Sequence, residues 1–396
     1  MKFKMLLIGV LSGLAAGAAA MLSAQEVPVD EQNKVFAEKW SAVADNLERL
    51  NPGWNARENV EFFEQKNDRR NIISLQRNKT AVVTGIELIG EQLRYISPLC
   101  SLPVQNLAFS NCNIAHLQEL GKTDLENLWI LDSKVNTDSL KKLKIKGLYW
   151  EGKNFGDKDA AMLPPTLENL YLKNTAVTNL NFKTDAKIRR LSLIANAGLN
   201  DYALLKEFRQ LNALTIKEQP QFKNIDFLPA LNQLDELALI NTSVNSLDLL
   251  KGRTFNILTI RDCSLFQLEV LSSMKINNLT IGEMDINAIP DLGSSGLETL
   301  TIVNMPVKTL DFIEGLQLKT LNLINTRIKD ISIIQNMPVT SLNIQGSPVE
   351  DISWLDGKTL EFLDISHTPA GKKELPKNMK VKKLINIRTG PRINNF

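Results

Sequence analysis

Histidine and cysteine are nearly absent. The chain has two histidines, His116 and His367, and three cysteines, Cys100, Cys112 and Cys263. Nothing in the sequence assembles a Ser/His/Asp arrangement around either histidine. Cys112 and His116 are four residues apart, but they flank a turn rather than share a helix face. There is no Cys-x-x-Cys, no His-x-x-x-His and no calcium-loop run of acids, so no metal and no cofactor is expected. The sequence therefore points away from an enzyme. An odd number of cysteines cannot all pair. All three are expected as free, buried, small apolar residues, with a Cys100–Cys112 bridge as the alternative.

An excess of either charge is also missing. Lys and Arg number 46 against 44 Asp and Glu, and removal of Lys2 and Lys4 with a leader leaves 46 − 2 = 44 against 44. Such a chain is not a global binder of nucleic acid or other polyanions. Long apolar runs are confined to the start. Lys2 and Lys4 precede a Gly- and Ala-rich run from Met5 to Met21, followed by small residues, which is the plan of a secretory signal peptide cleaved after Ala24 or Ala20. The alternative is an uncleaved anchor, but Gly13, Gly17 and the alanines make the run weakly hydrophobic. No cysteine lies near the cleavage point to carry a lipid, and no later segment is apolar enough to span a bilayer.

What the chain has is a phrase repeated from residue 83 to 384: two apolar residues three apart, a polar one, then a third apolar residue. It reads Val104-x-x-Leu107-x-Phe109, Leu125-x-x-Leu128-x-Ile130, and so on to Leu360-x-x-Leu363-x-Ile365. Between first positions from Val83 to Val381 the spacings are 21, 21, 20, 22, 21, 23, 23 and then 21 seven times. A period in this range with this phrase marks a leucine-rich repeat. Numbering from the first apolar residue, positions 4 and 6 alternate with polar 3 and 5, the period of a strand with one buried face. Apolar residues recur at position 11 (Ile114, Val177, Val349) and near 14 and 17 (Ile331, Ile334), so a return limb also points inward.

One such unit cannot bury its apolar face alone; stacked units can. The fold expected is an α/β repeat, a leucine-rich repeat solenoid: a curved parallel sheet of about 14–15 strands with mostly 3₁₀ or irregular return limbs. The two 23-residue units, around residues 201–205 and 222–228, have room for something longer. Position 8 is often Asn (Asn111, Asn174, Asn241, Asn304, Asn325), suited to backbone bonding in a turn. Position 9 is mostly small or adaptable (Cys112, Ser133, Thr242, Cys263, Met284, Met305, Ser347). It turns the chain out of the strand and packs or bonds against the adjacent coil.

Ahead of the repeats, Phe36, Trp40, Val43, Leu47 and Leu50 form one stripe of a helix. Asp30 can cap its start, and Asn51-Pro52-Gly53 stops it. A second, weaker helix is expected from Glu58 to Lys66. The division expected is 1–24 signal peptide, 25–78 helical cap, 79–388 solenoid and 389–396 tail. From Gly371 on, eight Lys/Arg face a single acid, Glu374, and a solvated terminal cap is the favoured reading over an anionic surface or nucleic acid. Asn78-Lys79-Thr80, Asn241-Thr242-Ser243 and Asn278-Leu279-Thr280 fit the glycosylation pattern but carry no weight at this frequency.

With the phrase, the stride and the leader in hand, the chain resembles secreted bacterial leucine-rich repeat proteins. The general likeness is to the internalin type, whose short repeats follow a helical cap. Segments such as Val349-Glu350-Asp351-Ile352-Ser353-Trp354-Leu355 look like its return limb. A narrower likeness lies in Leu50-Asn51-Pro52-Gly53-Trp54, Val82-Val83-Thr84-Gly85-Ile86-Glu87-Leu88 and Ile96-Ser97-Pro98-Leu99. These resemble the opening of repeat domains of planctomycete, lentisphaeral and verrucomicrobial proteins, which in several relatives follows a kinase domain. No Gly-rich nucleotide loop and no His-Arg-Asp motif is present here. The turn position departs from the internalin preference for Asn, so the internalin partner surface is not carried over.

Position 5, on the sheet face away from the core, carries aromatic rings in three consecutive repeats: Trp129, Tyr149 and Tyr171. Trp150, at position 6, is core. Charges frame the rings: Glu126, Lys146, Glu168 and Arg189 at position 2, Arg190 at position 3, Glu151 and Lys173 at position 7. Exposed rings beside Arg are the composition of interface hot spots and also suit stacking on sugar rings. The competing reading is cross-strand ring contact that stabilises the sheet. The run Thr259, Thr280, Thr301 needs no ligand. The function expected is a non-enzymatic exported scaffold, in the periplasm or at the cell surface or beyond, that binds a protein or glycan on this face. The partner-binding residues would be Trp129, Tyr149, Tyr171, Lys146, Lys173, Glu151, Arg189 and Arg190. The alternative is a structural or adhesive envelope component acting by assembly or avidity.

Overall fold

The computed structural model describes residues 29–64, 69–70, 83–182 and 187–387. The leader, the Asn78 glycosylation triplet and the 389–396 tail lie outside them. The chain forms two compact units, residues up to 177 with 181–187, and residues 178–180 with 188 onward.

In the first unit the apolar stripe folds as helix α1 (Val29–Leu50), and Phe36, Trp40, Val43 and Leu47 are buried. Because the helix already includes Val29, Asp30 lies within it and is not its cap. Asn51 ends α1 and ties it to the first coil. Its Nδ2 donates to Leu47 O, and its Oδ1 accepts the backbone N–H groups of Arg94 and Tyr95 at 2.7 and 2.8 Å. Trp54 Nε1 donates to Ile89 O at 2.7 Å.

The helix expected from Glu58 to Lys66 does not form. Val60–Glu64 is strand β1, antiparallel to β2 (Arg69–Arg70) and to β3 (Val83–Ile89). The sheet edge decides this. A pairing partner for β3 satisfies backbone groups that a helix would leave open, and Phe62 packs edge-on against Phe36 and Trp40.

Parallel strands then follow at the repeat period. They are β4 (Asn106–Ser110), β6 (Asn127–Leu131), β8 (Gly147–Glu151) and β9 (Asn169–Lys173), with a two-strand ribbon of β5 (Asn113–Ile114) and β7 (Lys134–Val135) beside them. The second unit continues with ten strands in sequence order. They are β10 (Arg190–Ile194), β11 (Ala213–Gln219), β12 (Glu236–Thr242), β13 (Thr254–Cys263), β14 (Lys275–Gly282), β15 (Thr299–Val303), β16 (Thr320–Ile324), β17 (Ser341–Asn343), β18 (Thr359–Asp364) and β19 (Lys380–Ile385). Pairing keeps each position beside its counterpart in the next repeat, as in Leu258↔Leu279↔Leu300↔Leu321↔Leu342. All five are fully buried. This is the leucine-rich repeat solenoid that the stride predicts.

Return limbs are mostly short 3₁₀ turns, and an α-helical turn, α2 (Asp157–Ala160), occurs in the 22-residue unit. The 23-residue units carry nothing longer: 3₁₀ turns span Ala203–Glu207 and Leu228–Ala230. In the first of them position 9 is buried Asn196, and in the second buried Gln219, where several other repeats have Cys, Ser or Thr. Tyr202 Oη donates to Gln219 Oε1 at 2.9 Å, and Gln221 Nε2 reaches Asn196 O. The added length widens the turn, and a polar network fills it.

Position 8, not 9, makes the turn out of each strand. Among the described residues, all fourteen there take positive φ, from Gly90 and Asn111 through Asp132, Ala195, Glu218 and Glu283 to Gly346 and His367. Position 9 supplies the lateral ladder: the Cys112 N–H donates to Ser133 Oγ at 2.8 Å, and Ser347 Oγ donates to Leu323 O at 2.7 Å. His367 is thus a turn residue. The three cysteines are free, as read, but Cys100 is exposed on the 3₁₀ turn Ser97–Ser101 rather than buried. Burial pushes the Cys112 thiol up to about 12 and raises that of Cys263.

Two outcomes follow. Alkylation of the native protein at pH 8 should label Cys100 alone, and all three thiols in denaturant, as read by mass spectrometry; native labelling of Cys112 would contradict its burial. Ala195, at φ 52, bears the left-handed strain of an L-residue, roughly 1–2 kcal/mol. Ala195→Gly should therefore raise the urea midpoint, by about 1 kcal/mol of stability after the added unfolded-state freedom of glycine is subtracted.

Candidate binding surface

Strands β6, β8 and β9 bring the three expected rings together, with Trp129 opposite Tyr149 and Tyr149 opposite Tyr171. Leu128 and Ile130 flank Trp129 and are fully buried in the spine, so alternation turns the indole to the other face of the sheet. Trp129 and Tyr149 stack at 4.6 Å with planes 7° apart; Tyr149 and Tyr171 lie 6.2 Å apart, tilted by 39°.

Their expected exposure is wrong. Trp129 is 4 % exposed and Tyr149 6 %, in a cluster with fully buried Ala108 and with Leu131 and Tyr171 against it. Strand spacing of about 4.8 Å sets large side chains in contact on this face, and the rings, Ala108 and Leu131 form a second small core. Trp129 Nε1 is buried there with no hydrogen-bond partner among the described residues. Only Tyr171 keeps partial exposure.

The framing charges are not a free collar either. Lys146 pairs with Glu126 at 2.8 Å, and Lys173 with Glu151 at 2.9 Å. The Glu126 carboxylate accepts a hydrogen bond from Lys146 and raises its pKa. Asp132 is raised by burial first and then by Glu151, with Lys173 working the other way. Glu168 is half-buried. Arg189 and Arg190 belong to the second unit, and the other expected residues to the first. Arg189 is exposed just ahead of β10. Arg190 reaches over the small side chain of Ala213 to hold Glu236 bidentately, both contacts 2.9 Å. Each pair joins like positions one or two repeats apart, so the charges tie coils together.

The surface that sequence reasoning passed over is the same face in the second unit. There Thr259, Thr280, Thr301, Asn322 and Asn343 occupy position 5 in unbroken register, all half-buried. Beside them at position 3 lie Ile257, 38 % exposed, and Asn278, Thr299, Thr320 and Ser341. Asn322 Nδ2 donates to Thr301 Oγ1 at 2.9 Å. The columns are uncharged, short-chained and open. The signal was the switch from rings to threonine at position 5, visible in the sequence but equally explained by strand preference.

Among the described residues no group of three His, Cys, Asp or Glu side chains could hold a metal ion. Nor is any helix among them long and apolar enough to cross a membrane.

No family model and no curated protein matches the chain. Among solved structures it is similar to the crystal structure of an internalin (inlF) from Listeria monocytogenes. Sequence identity is 18 %, coverage is 92 % of this chain and 99 % of that one, and the TM-score is 0.50. That likeness is one of fold: two chains with few residues in common build the same short-repeat solenoid.

Proposed function

We propose that the chain is an exported, non-enzymatic scaffold that binds a protein through the open sheet face of its second unit. One observation supports this above the others: the half-exposed column Thr259, Thr280, Thr301, Asn322, Asn343, flanked by exposed Ile257. Short hydroxyl and amide side chains lose little rotamer entropy on contact, offer donors and acceptors to a partner, and are held in register by the strand ladder. Large interfaces need no charge at their centre. A glycan is the weaker choice, because stacking on sugar needs an open ring face, and the Trp129–Tyr149 stack is buried. The likeness of 50–54, 82–88 and 96–99 to planctomycete-type repeat openings supports a kinship in the same reading.

A tagged wild-type chain should capture a partner from envelope extract, and T259E/T280E/T301E should lose it at least tenfold while keeping the wild-type circular dichroism spectrum. A return-limb control, Lys308→Glu, should retain it. Equal capture by the triple variant would remove this face from consideration. A concentration-dependent oligomer indifferent to the three substitutions would favour an adhesive, assembling role.

Export rests on the Lys2/Lys4 and Met5–Met21 leader. The protein recovered from the extracytoplasmic fraction should begin at Gln25, or at Met21 if cleavage follows Ala20, by N-terminal sequencing. Recovery only in the cytoplasm with Met1 intact would contradict it.

A further inference from the structure

The sheet of the second unit ends on β19. Among the described residues this strand pairs on one side only, with β18 in parallel. Leu384 stands opposite Leu363, in the position-4 column where Leu363 and Leu342 are fully buried, yet it is 43 % exposed, and Ile387 beyond it is 52 % exposed. Among the described residues, the spine's last layer is open. In the first unit, by contrast, β3 is closed by antiparallel β1 and by the apolar face of α1.

Charge marks this end. Lys372, Lys373, Lys377, Lys380, Lys382 and Lys383 are all exposed, with Glu374 the one acid between them in sequence. Lys382 pairs with Glu361 at 2.6 Å on the solvent side, and Lys383 lies 5.7 Å from the Phe362 ring. The backbone is also placed for pairing. Ile365 N–H and His367 N–H donate to the carbonyls of Ile385 and Ile387, so residues 385 and 387 point at β18. By alternation, 384 and 386 direct their N–H and C=O groups to the open side, whereas position 2 turns its N–H back to the preceding coil, as Glu361 N–H does to Thr340 O.

We propose that β19 is a second docking site, independent of the face proposed above, which accepts an extended acidic segment of a partner protein as an added strand. Backbone groups along residues 382–386 would supply the pairing, Leu384 and Ile387 the apolar contact, and the lysines the selection for acidic side chains. The same lysines disfavour a second copy of this chain, because like charges would meet along the edge.

The test uses the full chain and two fluorescein-labelled eight-residue peptides, one alternating Glu and Val and the other Lys and Val, read by fluorescence anisotropy. The Glu/Val peptide should bind at least tenfold more tightly than the Lys/Val one. K380E/K383E should reverse that preference. Leu384→Pro, which removes an outward N–H at an edge strand that tolerates proline, should weaken binding at least tenfold more than Leu384→Ala. T259E/T280E/T301E should leave peptide binding unchanged, which separates this site from the sheet face. Equal binding of the two peptides, or no response to charge reversal, would overturn the proposal. So would binding to phosphatidylglycerol vesicles without peptide binding, or a dimer abolished by Leu384→Pro.

Discussion

Every feature of this protein depends on strand register: a residue at a given position stands beside the residue at that position in the next repeat. The apolar spine follows from it, because positions 4 and 6 stack into continuous buried columns such as Leu258 to Leu342. The left-handed turn at position 8 follows too. Each strand must leave the sheet at one level if the next is to arrive in phase, so Asp132, Glu218 and Glu283 accept a backbone conformation that glycine would take with less strain.

Register also turns a side-chain choice made in one repeat into a surface. Three rings at one position become a stack, and three threonines become an open column. Paired charges such as Lys146–Glu126 and Lys319–Glu298 become lateral ties between coils, each worth little alone because both partners are solvated. The two sheet faces we contrast differ for this reason. Large side chains at position 5 of the first unit fill their own space, while short ones in the second unit leave room for another molecule.

The fold was legible because stride and alternation are properties of sequence order. Positions 1, 4, 6 and 11 could be read directly, and so could the core placement of Trp150 and the stripe of α1. The strand Val60–Glu64 was not, since Val-Glu-Phe-Phe-Glu fits helix or strand and only the edge of β3 decides. Nor was the burial of Trp129 and Tyr149: alternation gives the face on which a side chain lies, not what else packs there. The long-range pair Arg190–Glu236 escaped because a small residue at Ala213, one repeat between, lets the guanidinium cross it. The partner surface was the least legible part, since threonine at position 5 satisfies strand preference whether or not anything binds.

The register claim is tested most directly by a double-mutant cycle on the spine. Leu279→Ala with Leu300→Ala, on adjacent strands, should show a coupling of about 0.5–3 kcal/mol in urea unfolding, whereas Leu279→Ala with Leu342→Ala, three strands apart, should be additive to within about 0.5 kcal/mol. Additive adjacent truncations, or equal coupling at both separations, would contradict it.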